Sequence, residues 1–333
     1  MNRLACITIS SLALGGCAMP ASDSTDPADE ATSNGTEPAS PVATATTSAI
    51  QHVFVIAMEN HGTASIYGNT AHAPFINNTL IPQFGRALNF IDKLPSLPSE
   101  PHYIWMEAGT NAFADHTFTT DNNPSSTNST ASTAHLSTQI IAAGSTWLSY
   151  QEGINSTTGG CPIAGSGSYA PKHDPFIFFR DVSGTTPSKT NAFCVAHHKP
   201  LTALATDMTN NTVAAYNFIT PNLCNDMHDS CSPVSDPIKQ GDNFLAANVP
   251  AIINYVNAHQ GVLFIVWDEP EGSTGFIPLI VVGPNVKPNF ASSVQYSHGS
   301  LVKSVEQILA LPTLSTVTND NVFSDFFNAG FFP

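Results

Sequence analysis

The chain has 333 residues, of which 10 are Lys or Arg and 25 are Asp or Glu, so its formal net charge at pH 7 is -15. Such an acidic chain lacks the basic surface that neutralises nucleic-acid phosphates, and we therefore expect no nucleic-acid partner. No apolar run reaches the roughly 18 residues that a membrane-spanning helix needs.

The first residues have the pattern of an export signal. Arg3 supplies a positive charge, residues 4–14 form a short apolar segment, and the Leu-Gly-Gly-Cys tetrapeptide that ends at Cys17 resembles a bacterial lipobox. We predict a lipoprotein-type signal peptide over residues 1–17, with Cys17 lipidated so that acyl chains anchor the mature protein to a membrane. The alternative is an ordinary signal peptide cut near Ala18. Both interpretations place the protein outside the cytoplasm, as a lipoprotein of the cell envelope (outer membrane or periplasmic face) or as a secreted protein.

The next segment, residues 18–49, consists mainly of Ser, Thr, Ala and Pro, with five acids and almost no large apolar side chain. This composition buries too little surface to offset the entropy lost on ordering, so we predict a disordered tether. The remaining residues, 50–333, fit one large α/β domain better than two small ones.

Four short, almost wholly apolar runs have the pattern of strands buried on both faces of a parallel sheet. They cover residues 53–58, 213–219, 262–267 and 279–282. Helical patterns cover residues 136–144, 247–258 and 301–311. The alternation predicts an α/β fold with a mostly parallel central sheet flanked by helices.

Polar side chains follow two of these strands. Glu59 and Asn60 come after the first, and Asp268 and Glu269 come after the third. Because ligand chemistry gathers at the carboxyl ends of the strands, we expect three carboxylates and one amide oxygen to lie close together. Like charges at such spacing repel unless a cation is present. Oxygen ligands favour Mg²⁺, Ca²⁺ or Mn²⁺, and zinc also accepts carboxylates. Taken singly, either acidic pair could instead form a turn or cap a helix.

Four cysteines lie beyond the signal peptide: Cys161, Cys194, Cys224 and Cys231. An even number in an exported protein predicts disulfides rather than a zinc site. Three pairings are possible. We favour Cys161 with Cys194 and Cys224 with Cys231, because this pairing closes local loops, each of which then contains a histidine.

Six blocks along the chain resemble, in order, those of one enzyme family. They are HVFVIAMENH (52–61), PSEPHY (98–103), YAPKHDPF (169–176), TPNLCNDMHD (220–229), VWDE (266–269) and YSH (296–298). The family is that of the bacterial acid phosphatases and phospholipase C phosphoesterases, within the alkaline phosphatase superfamily. The resemblance spans residues 50–311 and implies an alkaline-phosphatase-like fold and a phosphoric ester hydrolase.

The resemblance also implies roles for individual residues around one divalent metal ion. Four positions match the family's metal ligands: Glu59, Asn60, Asp268 and Glu269. Ser99 matches the nucleophile. Three histidines match substrate-binding positions: His173, His228 and His298. At Gly62, at His102 and over residues 108–110 the chain departs from the family pattern, so the resemblance does not imply the shape of the leaving-group pocket.

Ser99 has a second interpretation. It precedes Pro101, where a helix is expected to begin, and a serine at that position often caps the helix. A helix N-terminus also binds a phosphoryl group well, so the two roles are compatible.

Several neighbours of the site have plainer interpretations. Asp174 and Asp229 are expected to orient the histidines that precede them. Lys172 is a nearby cation that could help to attract phosphate, but a lysine beside a loop proline is more often solvated. His102 is expected to lie at the surface or outside the ligand set.

The sequence therefore predicts a metal-dependent acid phosphatase that hydrolyses phosphomonoesters through a phosphoserine, with phosphorylated lipids among its substrates because of the membrane tether. Protonated histidines bind phosphate more strongly, so mildly acidic pH is expected to favour activity. A phospholipase C type phosphodiesterase is the first alternative. Such relatives are longer, and the length of this chain favours the monoesterase. A non-catalytic surface lipoprotein on the same fold is the second alternative, which predicts an incomplete set of site residues.

Overall fold

The computed structural model describes residues 49–154, 160–270 and 275–333. The predicted signal peptide with Cys17, and the tether except for its last residue, lie outside the described residues. The lipid anchor, the tether and the domain boundaries therefore stay predictions.

A mixed sheet forms the centre of the described residues. Its strands are β1 (His52–Met58), β2 (Gly85–Ala87), β3 (Trp147–Gln151), β4 (His198–Pro200), β5 (Tyr216–Thr220), β6 (Gly261–Trp267), β7 (Leu279–Val282) and β8 (Phe290–Ser292). The spatial order is β4-β3-β5-β1-β6-β7-β2-β8. Neighbouring strands are parallel except at β7, which is antiparallel to both β6 and β2. The prediction of a mostly parallel sheet is confirmed.

Helices flank the sheet. They are α1 (Thr63–Ile66), α2 (Ile81–Gln83), α3 (Ser99–Ala108), α4 (Leu136–Ala142), α5 (Arg180–Ser183), α6 (Ala192–His197), α7 (Leu204–Thr209), α8 (Pro237–Ala258) and α9 (His298–Ile308). The long helix α8 begins ten residues before the predicted helical pattern. Its start is set by Pro237 in the first turn and by the Asp236 carboxylate, which accepts a hydrogen bond from Lys239 N.

The two central strands are buried because layers cover both of their faces. In β1 every residue from Val53 to Met58 is buried, and so is every residue of β6. Each fully buried Val, Leu, Ile or Phe side chain contributes roughly 1.5–3 kcal/mol. The continuous apolar runs are thus explained by position in the sheet, and the ends of these strands are fixed firmly.

One strand begins later than its apolar run predicts. The run starts at Val213, whereas β5 starts at Tyr216. The Asn217 side chain accepts a hydrogen bond from Ala214 N and donates one to Ala214 O. This side-chain pairing holds the preceding residues in a turn, since the amide competes with the strand ladder for those backbone groups.

Both predicted disulfides are present. Cys161 is bonded to Cys194 and Cys224 to Cys231. The two loops they close contain His173 and His228, as expected from the pairing. Disulfides are consistent with export. Among the described residues, none of the helices combines the length and the apolar character needed to cross a membrane.

Helix α9 contains a buried acid that should make stability depend on pH. Glu306 is buried and accepts a hydrogen bond from Leu314 N. Burial raises its pKa to about 6. The folded protein therefore holds this proton more tightly than the unfolded chain, whose glutamate pKa is about 4.3.

We expect the contribution of Glu306 to the free energy of unfolding to be complete below about pH 4.3 and to be lost as pH rises through 6. The loss should be on the order of 1–2 kcal/mol. Glu306→Gln removes the titrating group, so its stability should decline less over this range. Urea unfolding at several pH values measures both proteins, and parallel profiles would contradict the prediction.

Candidate active site

Two carboxylates lie side by side at the carboxyl end of the sheet centre. In the parallel register of β1 and β6, Met58 is opposite Trp267, and each is the last residue of its strand. The next residues are Glu59 and Asp268, both fully buried. Asp268 N donates to Met58 O at 2.9 Å, so the register continues into the site.

The other two predicted metal ligands are held by Asp268. Its Oδ1 atom accepts hydrogen bonds from Asn60 N at 3.0 Å and from Glu269 N at 2.6 Å. Asn60 has a φ of 50°, a left-handed conformation that asparagine tolerates better than most residues. The segments that follow β1 and β6, which carry the four predicted ligands, are therefore hydrogen-bonded to each other.

Ser99 is the first residue of α3 rather than its cap. The cap position is Pro98, and the helix begins two residues before the expected start at Pro101. The Ser99 hydroxyl donates instead to Glu59 Oε2 at 3.1 Å. The cap interpretation is therefore wrong, because the hydroxyl is turned into the acidic cluster.

His173 lies between two buried carboxylates. Its Nε2 atom is 3.1 Å from Glu59 Oε1, and its Nδ1 atom is 3.2 Å from Asp226 Oδ2. The ring stacks on Tyr103 with 4.8 Å between the centroids. The expectation that Asp174 orients His173 is wrong: Asp174 pairs with His198 at 3.1 Å.

His228 faces the same cluster from the loop after β5. Its Nδ1 atom contacts Asp229 Oδ1 at 2.8 Å, as expected, and its backbone N donates to Asp226 Oδ1 at 2.8 Å. Ligand-capable atoms of Glu59, His173 and His228 all lie within 4.8 Å of one another. The structure therefore brings Ser99 and two of the predicted histidines together with the acids.

Lys172 is not simply solvated. Its Nζ atom donates to Asp121 Oδ2 at 2.7 Å and lies 3.4 Å from His228 Nε2. The side chain is 21% exposed. A positive charge thus stands at the edge of the site.

His298 lies behind the acidic pair. It is buried, and its Nε2 atom is 2.9 Å from the carbonyl oxygen of Trp267, the residue before Asp268. Burial, and then the positive charge of His102, lower its pKa to about 4. The structure shows a neutral ring that holds the end of β6, and the predicted contact with phosphate stays a prediction.

The sequence interpretation missed two buried residues of the site. Asp226 is hydrogen-bonded to His173 and to the backbone of His228. Its position two residues before His228, in the same sequence block, could have indicated that it belongs to the site. His102 is fully buried, with Nδ1 2.8 Å from Pro98 O and Nε2 3.0 Å from Asp92 Oδ1. It lies one helical turn after Ser99, which was the available signal.

His102 supplies positive charge to the acidic cluster. A ligand-capable atom of His102 lies within 4.8 Å of such atoms of Asp268 and Glu269. Burial lowers the pKa of His102, but the hydrogen bond with Asp92 and the charges of Asp268 and Asp92 outweigh it and raise the pKa to about 9. The ring is therefore an imidazolium at neutral pH.

The acidic cluster carries more negative charge than its neighbours offset. Burial is the main cause that raises the pKa values of Glu59, Asp226 and Asp268, and it raises that of Glu269 to about 8. Repulsion from Asp268 adds to the shift in the other three. Within the described part of the chain, Asp268 Oδ2 is buried without a hydrogen bond, and Glu59 Oε1 has only the ion-pair contact with His173 Nε2 at 3.1 Å. Buried acceptors of this kind fit a divalent cation. A bound cation neutralises the carboxylates, which otherwise have to take up protons to lose their charge.

His173 differs from the expectation that the phosphate-contacting histidines are protonated. Burial, and then the charges of Lys172 and His228, lower its pKa well below the usual range. A neutral His173 contributes hydrogen bonding and shape, so the positive charge at this edge comes from Lys172 and His102.

Comparison with known proteins identifies the family of this chain. Residues 95–312 match the sequence profile of the Phosphoesterase family. The chain belongs to the phosphoesterase family. A phosphatidylinositol-3-phosphatase of Mycobacterium tuberculosis is 30% identical to this phosphoesterase over 275 residues, which are 82% of each chain. The second alternative, a non-catalytic surface lipoprotein, is thereby disfavoured, and the chain is a phosphoric ester hydrolase.

Two further comparisons agree with this assignment. A phosphate-repressible acid phosphatase of Penicillium chrysogenum is 26% identical over 237 residues, which cover 66% of the phosphoesterase described here and about half (51%) of that relative. A crystal structure from Vibrio parahaemolyticus, described as a protein in the alkaline phosphatase superfamily, has a TM-score of 0.50 and 8% identity over 80% of this chain and 68% of that one. The predicted alkaline-phosphatase-like fold is confirmed.

Gly241 in α8 supports the loop that carries two site residues. A Cβ at Gly241 would lie 2.3 Å from Met227 Cγ and 3.0 Å from Met58 Cε. Met227 stands between Asp226 and His228, is buried, and has a φ of 85°. Met58 precedes Glu59. A side chain at position 241 therefore pushes on both halves of the site.

We expect Gly241→Ala to lower phosphate release several-fold and to destabilise the fold by about 1–3 kcal/mol, although alanine is the better helix former. The control is Ala246→Gly at an exposed position of the same helix, which should cost about 1 kcal/mol and leave the rate unchanged. Steady-state kinetics and thermal unfolding measure both variants. A Gly241→Ala enzyme with wild-type rate and stability would show that the loop has room to move.

Proposed function

We propose that this phosphoesterase is a metal-dependent acid phosphatase that hydrolyses phosphomonoesters through a phosphoserine formed on Ser99. The observation that carries the proposal is the 3.1 Å hydrogen bond from the Ser99 hydroxyl to Glu59 Oε2, inside a cluster of buried acids. A hydroxyl fixed at that place is difficult to explain as a structural cap.

The residues that would hold the metal are Glu59, Asn60, Asp268 and Glu269. Their oxygen-rich set fits a hard divalent cation, and the buried Asp268 Oδ2 atom, which has no hydrogen bond among the described residues, supports it. When bound, such an ion supplies charge stabilisation at a phosphoryl oxygen and lowers the pKa of a coordinated hydroxyl.

Ser99 would act as the nucleophile. A bond forms between Ser99 Oγ and phosphorus while the bond from phosphorus to the ester oxygen breaks, and the alcohol leaves with a proton. Water then cleaves the phosphoserine and releases phosphate. The position of Ser99 at the first residue of α3 favours the negative charge of the phosphoserine, because the N-terminal end of a helix is electropositive.

His173 and His228 would orient the phosphate. Asp226 and Asp229 engage their Nδ1 atoms, so Nε2 of each ring is the atom turned to the acids and to Lys172. Because these contacts exist before substrate binds, little reorganisation is needed in the reaction. Lys172 would offset phosphate charge in a protein whose net charge repels anions.

The substrate range is proposed to include phosphorylated lipids. The Mycobacterium tuberculosis relative is named a phosphatidylinositol-3-phosphatase, which supports a phosphomonoester on a lipid headgroup. The predicted lipid anchor at Cys17 would keep the enzyme at a membrane surface, where such substrates are concentrated.

Ser99→Ala should abolish phosphate release, by at least about a thousandfold, because it removes the hydroxyl that donates to Glu59 and would attack phosphorus. Metal content by mass spectrometry and the thermal midpoint should match the wild type. Ser126→Ala, at an exposed site, is the matched control and should leave the rate unchanged. A Ser99→Ala enzyme with wild-type turnover would rule out the phosphoserine.

Chelation should remove activity and added divalent cations should restore it. The assay follows phosphate release from an aryl phosphomonoester, and product release from the choline diester analogue, between pH 5 and 7. Chelator-sensitive hydrolysis of the monoester is the expected result. Cleavage of the diester alone would favour a phospholipase C type enzyme, and hydrolysis that resists prolonged chelation would contradict metal dependence.

A further inference from the structure

A cavity with both polar and apolar walls is lined by Lys172 and by the segment that begins at Asp121. Its volume is about 420 Å³, within the range of small-molecule sites, which is roughly 300–1,000 Å³. The polar part of its wall comes from Asp121, Asn122, Asn123 and Lys172. Apolar surface comes from Tyr169 and Pro171.

Hydrogen bonds connect the cavity wall to the proposed catalytic residues. Asp121 Oδ1 accepts a hydrogen bond from the backbone N of Glu100, the residue after Ser99, at 3.0 Å. Asp121 Oδ2 accepts from Lys172 Nζ at 2.7 Å, and Lys172 Nζ lies 3.4 Å from His228 Nε2. A group that leaves the phosphorus between Ser99 and His228 would therefore be adjacent to this wall.

The wall is held in place by a buried acid. The Glu100 carboxylate accepts hydrogen bonds from Asn122 N at 2.7 Å and from Asn128 Nδ2 at 3.1 Å, and Glu100 is fully buried. The Asn122 amide also donates to Thr120 Oγ1 at 2.6 Å. Residues 121–128 are thus anchored at both ends of the segment before any ligand arrives, which reduces the entropy lost on binding.

The chemistry of the wall indicates what it would bind. Amide side chains both donate and accept, and they suit a ligand that carries several hydroxyl groups. The exposed Asn123 side chain stands at the cavity beside the Lys172 ammonium. Tyr169 and Pro171 provide an apolar surface against which the C–H face of a ring can pack.

We propose that this cavity is the leaving-group subsite and that the preferred leaving group is a polyhydroxylated ring, a sugar or a cyclitol. The inference rests on the proposed phosphomonoesterase function and adds the substrate class to it. Asn123 is the specificity residue, because it lines the cavity and its exposed side chain can be changed without altering the acids that would hold the metal.

The test compares three substrates of the metal-loaded enzyme: myo-inositol 1-phosphate, glucose 1-phosphate and cyclohexyl phosphate, whose ring has no hydroxyl groups. With Asn123→Ala we expect KM for the two hydroxylated substrates to rise three- to tenfold relative to KM for cyclohexyl phosphate, the effect of about one hydrogen bond. The ratio between enzymes cancels the intrinsic reactivity of each ester. Asn78→Ala, an exposed asparagine outside the cavity, should change none of the constants.

Three outcomes support the inference: a selective loss with the cyclitol alone or with the sugar alone, either of which identifies the preferred ring, or a selective loss with both. An equal change with all three substrates, or no change with any, overturns it. Calorimetric binding of myo-inositol 1-phosphate to Ser99→Ala, with and without Asn123→Ala, gives the same comparison without turnover. An enzyme that hydrolyses no phosphomonoester contradicts the proposed function, while the calorimetry still decides the leaving-group subsite.

Discussion

The packing of carboxylates at the centre of the sheet is the constraint on which the rest of the site depends. Glu59 and Asp268 are neighbours because β1 and β6 are parallel and in register, and neither side chain can move away without breaking two fully buried strands. Their charge has to be offset where it stands. The imidazolium of His102 and the ammonium of Lys172 neutralise part of this negative charge. Asp268 Oδ2, which has no hydrogen bond among the described residues, is the reason to expect a cation as well.

Contacts from other segments hold the remaining site residues around Glu59 and Asp268. Asp226 has a central part, because its backbone carbonyl accepts from Glu59 N while its carboxylate bonds to His173 and to the backbone of His228. One residue therefore connects the first strand to both histidine-bearing segments. Gly241 has a similar importance without any polar contact, since the absence of its side chain leaves the space that Met227 fills.

Much of this arrangement follows from the sequence, and the parts that do not follow depend on distant contacts. The central strands, the acids after them and the disulfide pairs are local patterns, and each is present where it was expected. Strands β2, β4 and β8 have three residues each, which is too short for an alternating apolar pattern to be recognised in the sequence. The partner of Asp174 was misassigned because His198 is adjacent only in the folded chain, and the second interpretation of Ser99, as a cap, was wrong because the Glu59 carboxylate that its hydroxyl contacts is 40 residues away in sequence.

Two different constraints position the two halves of the site. The acidic half is set by the sheet register, whereas His173 and His228 lie on loops closed by cross-links. Closing loops of these lengths restricts the unfolded chain by about 2–4 kcal/mol in the chain-entropy description. In a reducing compartment the loops regain that freedom, whereas the sheet register still positions Glu59 and Asp268. The complete constellation is thus a property of the oxidised protein, and its assembly is coupled to the compartment in which the chain resides.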